Sequence, residues 1–138
     1  MQIVVIDGQG GRLGREVVSA VRDAFPAAEI KVVGTNSVAT ATMLKAGASE
    51  GATGENPAIV ACRRADYIIG PLGIVIADSL MGEVTPAMAL AVAQSPAKRI
   101  LIPMNMCDNL VAGVDRQPVS DLVADVITKI REECDNVR

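Results

Sequence analysis

The chain has 138 residues, half of them hydrophobic, a formal net charge of −3 and no histidine. That length supports one domain with a buried core and leaves no room for the separate substrate domain of a typical nucleotide-dependent dehydrogenase. The charge balance argues against the basic footprint of a nucleic-acid binder, and the missing histidine removes the commonest general base and metal ligand.

Apolar runs alternate with helical patterns along the chain, which predicts an α/β fold: a three-layer, doubly wound, mostly parallel sheet of about five strands, Rossmann-like in design. Ile3 to Ile6 reads as the first strand. Leu13, Val17, Val18, Val21, Ala24 and Phe25 then form one helical stripe that ends near Pro26. Ile30 to Val33 is the second strand. Thr35, Asn36 and Ser37 cap a helix running through Met43 and Leu44 to Gly47. A short third strand is expected near Ala48 to Gly51, followed by a helix opened by Asn56 and Pro57 and reaching about Arg64. Asp66 to Gly70 is the fourth strand. The segment Ile74 to Met81 is ambiguous between helix and strand. Thr85-Pro86 opens a helix whose uncharged run, Ala87 to Ala93, suits burial or a subunit interface. Arg99 to Ile102 is the fifth strand, Gly113 marks a turn, and Leu122, Val123, Val126, Ile127 and Ile130 give the last helix its apolar stripe, with fraying expected after Cys134.

The first strand runs directly into Gly8-Gln9-Gly10-Gly11-Arg12-Leu13-Gly14. A strand that breaks into glycines and re-enters a helix offers free backbone N–H groups and the positive end of a helix dipole to an anion. Read as Gly8-x-x-Gly11-x-x-Gly14, the loop resembles the variant fingerprint of dihydrodipicolinate reductases and prephenate dehydrogenases. In that pattern Gly8 makes the turn, Gly11 lets a phosphate approach and Gly14 packs helix on strand. A Walker A loop is absent, because no Gly-Lys-[Ser/Thr] occurs. The expected ligand is therefore a nucleotide, NADP or NAD, with a glycine-rich turn that binds nothing as the alternative.

Two features depart from the usual pattern. Asp7 sets a carboxylate beside the phosphate position, either as a cap for loop N–H groups or as a functional acid. The second strand ends in Thr35, Asn36 and Ser37 rather than the acid that usually meets ribose hydroxyls, and Glu29 sits at the wrong end of that strand. The uncharged trio suits a 2′-phosphate, favouring NADP slightly, or serves only as a helix cap. Gly51, Thr53, Gly54, Glu55 and Asn56, then Gly70, Pro71 and Gly73, then Pro103, Asn105 and Cys107, follow the remaining strands and are expected to converge on the same pocket. Glu55, Asp7 and Cys107 are the candidate catalytic groups. Asp78, Ser79 and Glu83 form a polar patch suited to lining the cleft or capping the helix at Pro86.

Phe25 and Tyr67 are the only aromatics, so stacking platforms for bases or a flavin ring are lacking. Cys62, Cys107 and Cys134 form no Cys-x-x-Cys pair, which predicts reduced thiols, no structural zinc and a cytoplasmic location. No secretory leader is expected, and no apolar run approaches the roughly 18 residues of a membrane span. With one small domain, an enclosed site calls for a second subunit, and a homodimer is expected. The alternative is a non-catalytic regulatory or interaction protein whose interface is the helix from Pro86.

Beyond the loop, the blocks Ile6-Asp7-Gly8-Gln9-Gly10-Gly11, Gly34-Thr35-Asn36, Leu44-Lys45-Ala46-Gly47-Ala48, Gly51-Ala52-Thr53-Gly54-Glu55-Asn56, Gly70-Pro71-Leu72-Gly73-Ile74 and Ile102-Pro103-Met104-Asn105 resemble a family of small bacterial proteins catalogued as domain of unknown function 3842. The resemblance runs nearly end to end. It implies a shared fold and no reaction.

Overall fold

The computed structural model describes residues 1–104, 106 and 108–136. Five strands are formed among these residues: β1 (Gln2–Asp7), β2 (Glu29–Gly34), β3 (Glu50–Thr53), β4 (Tyr67–Pro71) and β5 (Lys98–Ile102). They make one sheet in the order β3-β2-β1-β4-β5, with every pairing parallel. The helices are α1 (Arg12–Ala24), α2 (Ser37–Lys45), α3 (Glu55–Cys62), α4 (Pro86–Gln94) and α5 (Val119–Asn136). This is the doubly wound α/β architecture expected from the sequence, and its strand order reverses between β1 and β4, where such folds open a crevice.

Alternation along the strands divides the core. Ile3, Val5, Ile30, Val32 and Ile69 face α1, α2 and α5, whereas Val4, Ile6, Val33 and Ile68 face α3 and α4. Both faces of β1 are buried, so its sequence reads as a continuous apolar run rather than an alternating one. Most of the helix α1 stripe is buried, from Leu13 through Val17, Val18 and Val21.

Four elements differ from expectation. Strand β3 starts at Glu50 and takes in Gly51 and Thr53, because its register is set by pairing with Lys31 to Gly34 rather than by its own weak pattern. Helix α3 begins at Glu55 with Gly54 as its N-cap, so Asn56 and Pro57 lie inside the first turn. The Ile74 to Met81 segment is neither helix nor strand. A 3-10 turn at Leu72–Val75 leads into consecutive turns up to Thr85, whose hydroxyl caps α4 by accepting the Met88 N–H at 3.2 Å. Helix α5 continues past Cys134 to Asn136. Helix α4 owes its uncharged sequence in part to packing, since Met88, Ala89 and Val92 are buried on the α3 side of the sheet. No described helix is long and apolar enough to cross a membrane.

Candidate functional site

The glycine loop lies at the carboxyl end of β1, the strand beside the switch point. Asp7, 2% exposed, ends β1 and ties the loop together. Its Oδ1 accepts the Gly8 N–H at 2.8 Å and its Oδ2 accepts the Gly14 N–H at 2.7 Å, so one carboxylate pins both ends of the seven-residue turn. Burial pushes the Asp7 carboxyl above its ordinary value; the Gly14 and Gly8 bonds oppose this and the nearby Glu83 charge reinforces it. Asp7 thus has the geometry of a capping carboxylate, its charge held beneath the loop.

The glycines divide by what surrounds them. A Cβ at Gly8 would strike the Thr35 hydroxyl at 2.5 Å and Leu80 at 2.8 Å, and one at Gly14 would collide with the Met43 side chain and with Asp7. Gly11 has φ +73°, a left-handed conformation that glycine adopts without strain, and a Cβ there would fall 2.8 Å from the backbone of Ala39 in α2. The Cβ side of Gly11 is therefore filled by a neighbouring helix, while the residue still borders the cavity beside the loop. Gly10 is different: it is exposed, and a Cβ there would meet only the Arg12 side chain, at 3.9 Å.

Helix α1 has no side-chain cap. Within the described residues the N–H groups of Gly10, Arg12 and Leu13 find no acceptor, whereas those of Gly8, Gln9, Gly11 and Gly14 are bonded. Beside the free groups lies a cavity of about 420 Å³ lined by the Asp7 to Leu13 segment and Met104. It adjoins a second of about 490 Å³ that shares Arg12, Leu13 and Met104 and extends to the Arg15–Glu16 ion pair, Val119 and Ser120. Arg12 is exposed and makes no ion pair among the described residues. The result is a groove from the start of α1 to the start of α5 with three donors and a cation at one end.

On the opposite flank, over β2, the loop is occupied. Glu83, from the segment after β4, places Oε1 at 2.7 Å from the Thr35 hydroxyl, 2.7 Å from Asn36 Nδ2 and 2.9 Å from the Gln9 N–H, accepting all three. Asn36 also donates to the Gln9 carbonyl and caps α2 by accepting the Ala39 N–H. Burial would raise the Glu83 carboxyl, but the bonds from Thr35, Gln9 and Asn36 outweigh it and hold the group below its ordinary value. The side chains of Thr35 and Asn36 are thus committed to a carboxylate, which opposes the 2′-phosphate expected there; Ser37 is exposed in the first turn of α2. Sequence reasoning placed Glu83 in a polar patch but missed this contact, because Glu83 lies 74 residues from Gln9 along the chain.

The other strand-end residues do not join the groove. Gly70, Pro71 and Gly73 are buried, a Cβ at Gly70 would collide with the Ile6 carbonyl, and Ser79 donates its hydroxyl to the Gly73 carbonyl. Glu55 accepts the Thr85 hydroxyl at 2.6 Å, joining the N-termini of α3 and α4. Asn105 and Cys107 lie outside the described residues. Cys62 is buried, and desolvation pushes its thiol up to about 11, which disfavours the thiolate. Another cavity, of about 470 Å³, lies between α3 and the edge of the sheet near Lys31, Glu50 and Arg64, away from the loop.

Among solved structures, the chain is similar to a dodecameric FMN-dependent Ubix-like decarboxylase from Escherichia coli O157:H7, at 16% identity over 96% of this chain and 94% of that one, with a TM-score of 0.45. No curated protein matches. The model of a domain of unknown function, DUF3842, matches residues 2–135. With the match covering nearly its whole length, the chain belongs to the DUF3842 family.

Proposed function

We propose that this protein binds a nucleotide-class ligand by its phosphate, at the start of α1, with the rest of the ligand in the groove toward α5. The observation that carries this reading is that the N–H groups of Gly10, Arg12 and Leu13 and the Arg12 guanidinium have no partner among the described residues and lie beside a cavity. Backbone donors, the helix dipole and a cation together suit a phosphate dianion, and Gly10 leaves its approach open. NAD and NADP are dinucleotides of this class; of the two, Glu83 disfavours NADP. The role that follows is a small oxidoreductase or a nucleotide sensor in the cytoplasm.

A thermal-shift panel of AMP, FMN, ATP, NAD, NADP and S-adenosylmethionine, with adenosine as the phosphate-free control, tests the reading. A ligand bound only by the folded state at a hundredfold excess over its Kd adds about 2.7 kcal/mol. Phosphorylated compounds are expected to raise the melting temperature and adenosine is not. No shift with any of them contradicts the proposal.

Self-association is the second reading, favoured by the exposed edge strand β3 and by exposed Val38, Leu44 and Val60 on its flanking helices. A homodimer across that edge buries all three, and a monomer by light scattering would rule it out.

A further inference from the structure

The segment joining the 3-10 turn to α4 folds into a compact loop over Gly8. Its base is closed by the Asp78 N–H donating to the Val84 carbonyl at 2.8 Å and the Val84 N–H donating to the Ser79 carbonyl at 3.2 Å. Between them the backbone turns the wrong way for L-residues: Asp78 has φ +65°, Leu80 +54°, Met81 +57° and Gly82 +85°, with a bond from the Gly82 N–H to the Asp78 carbonyl. Gly82 and Asp78 adopt this region readily, but Leu80 and Met81 carry side chains that disfavour it, and such strain persists only where other contacts impose it. Those contacts sit at its two ends, where Leu80 and Val84 join the core on the α3–α4 side of the sheet. Leu80 is buried over Gly8, Ser79 holds the Gly73 carbonyl, and Glu83 grips Thr35, Asn36 and Gln9, whereas Met81 is 97% exposed.

The position of the loop gives the strain a consequence. Leu80 and Glu83 stand over Gly8 and Thr35, on the β1–β2 flank where a doubly wound fold receives the ribose next to its phosphate loop. The α1–α5 groove on the other flank is clear of them. We propose that residues 78–83 form a sprung strap, latched by Glu83, that closes the β2 flank and limits the site to mononucleotide-sized ligands until it opens. This inference rests on the nucleotide reading for the ligand it gates, and on the strap geometry alone for the opening itself.

The opening is measured by amide hydrogen exchange. In the native protein Gly82 and Val84 are expected to exchange at least tenfold faster than Val5 and Ile69 in the central strands, by local rather than global unfolding. Met81→Gly removes strain at a solvent-exposed site and is expected to slow exchange at Gly82 and Val84 by about fivefold, an unusual stabilisation by glycine. Glu83→Ala removes the latch and is expected to speed those same amides about tenfold or more, with Val5 and Ile69 unchanged. Exchange of strap and central strands at one rate, or parallel changes at all four amides in both variants, overturns the strap.

Ligand selection is read by titrating the three proteins with AMP and NAD. Glu83→Ala is expected to tighten NAD at least tenfold while leaving AMP within twofold, and equal changes for the two ligands overturn the gate. Binding of neither compound to any of the three removes the nucleotide reading and the gate with it, while exchange still decides whether the strap opens.

Discussion

The two flanks of the glycine loop share one backbone and differ in every other respect. On the β2 flank the protein itself supplies partners: Asp7 for Gly8, Glu83 for Gln9 and Thr35, Glu83 and Ala39 for Asn36. On the α1–α5 flank three N–H groups and an arginine at the groove have no partner among the described residues. A glycine loop is therefore not uniformly a ligand site. The same motif packs Gly8, Gly11 and Gly14 tightly against neighbouring atoms and leaves Gly10 open.

That contrast predicts unequal effects of substitution. Gly14→Val drives a side chain into Met43 and Asp7, and its expected cost is about 3 kcal/mol of stability or more, measured as a lowered melting temperature without ligand. Gly10→Val, only two residues after Gly8, changes stability by less than about 0.5 kcal/mol because a Cβ there has room. It fills the approach to the free N–H groups, and its nucleotide affinity is expected to fall more than about tenfold in the same titration. If Gly10→Val unfolds the protein, the division between building and binding glycines fails.

Arg12→Glu probes the open flank by charge. Weakening of a phosphorylated ligand by about tenfold at low salt is expected, shrinking as ionic strength rises. Unchanged affinity at low salt would show that the cation does not meet the phosphate.

The smallest effect is in pH dependence, where the two carboxylates have opposite signs. Asp7 binds its proton more tightly in the folded state, so its contribution to stability is present below the ordinary aspartate value of 3.8 and is lost as pH rises through its raised folded value. Glu83 is lowered, so its contribution is present above the ordinary 4.5 and is lost as pH falls through its folded value. Denaturant melts across this range are expected to show Glu83→Gln removing the acid-side loss and Asp7→Asn removing the alkaline-side one. Identical profiles for both variants would contradict the assignment.

Local signals were legible in the sequence. The apolar β1, the turn after it, the α1 stripe and the Asn36 and Thr85 caps are each set by neighbours within a few residues, and they fold as their composition suggests. Long-range signals were not. Glu83 reaches the loop from another strand's connection, and β3 takes its register from β2. The strap escaped because left-handed turns are usually marked by glycine, and here only Gly82 supplies that mark while Asp78, Leu80 and Met81 adopt the same region under outside constraint.

The central claim is that phosphate is held by the free N–H groups at the start of α1. The direct test is an NMR titration of the ¹⁵N-labelled protein with AMP, following backbone amides. The account predicts saturable shifts largest at Gly10, Arg12 and Leu13, with adenosine producing none of them. Shifts confined to the cavity near Lys31 and Arg64, or absent altogether, would contradict it.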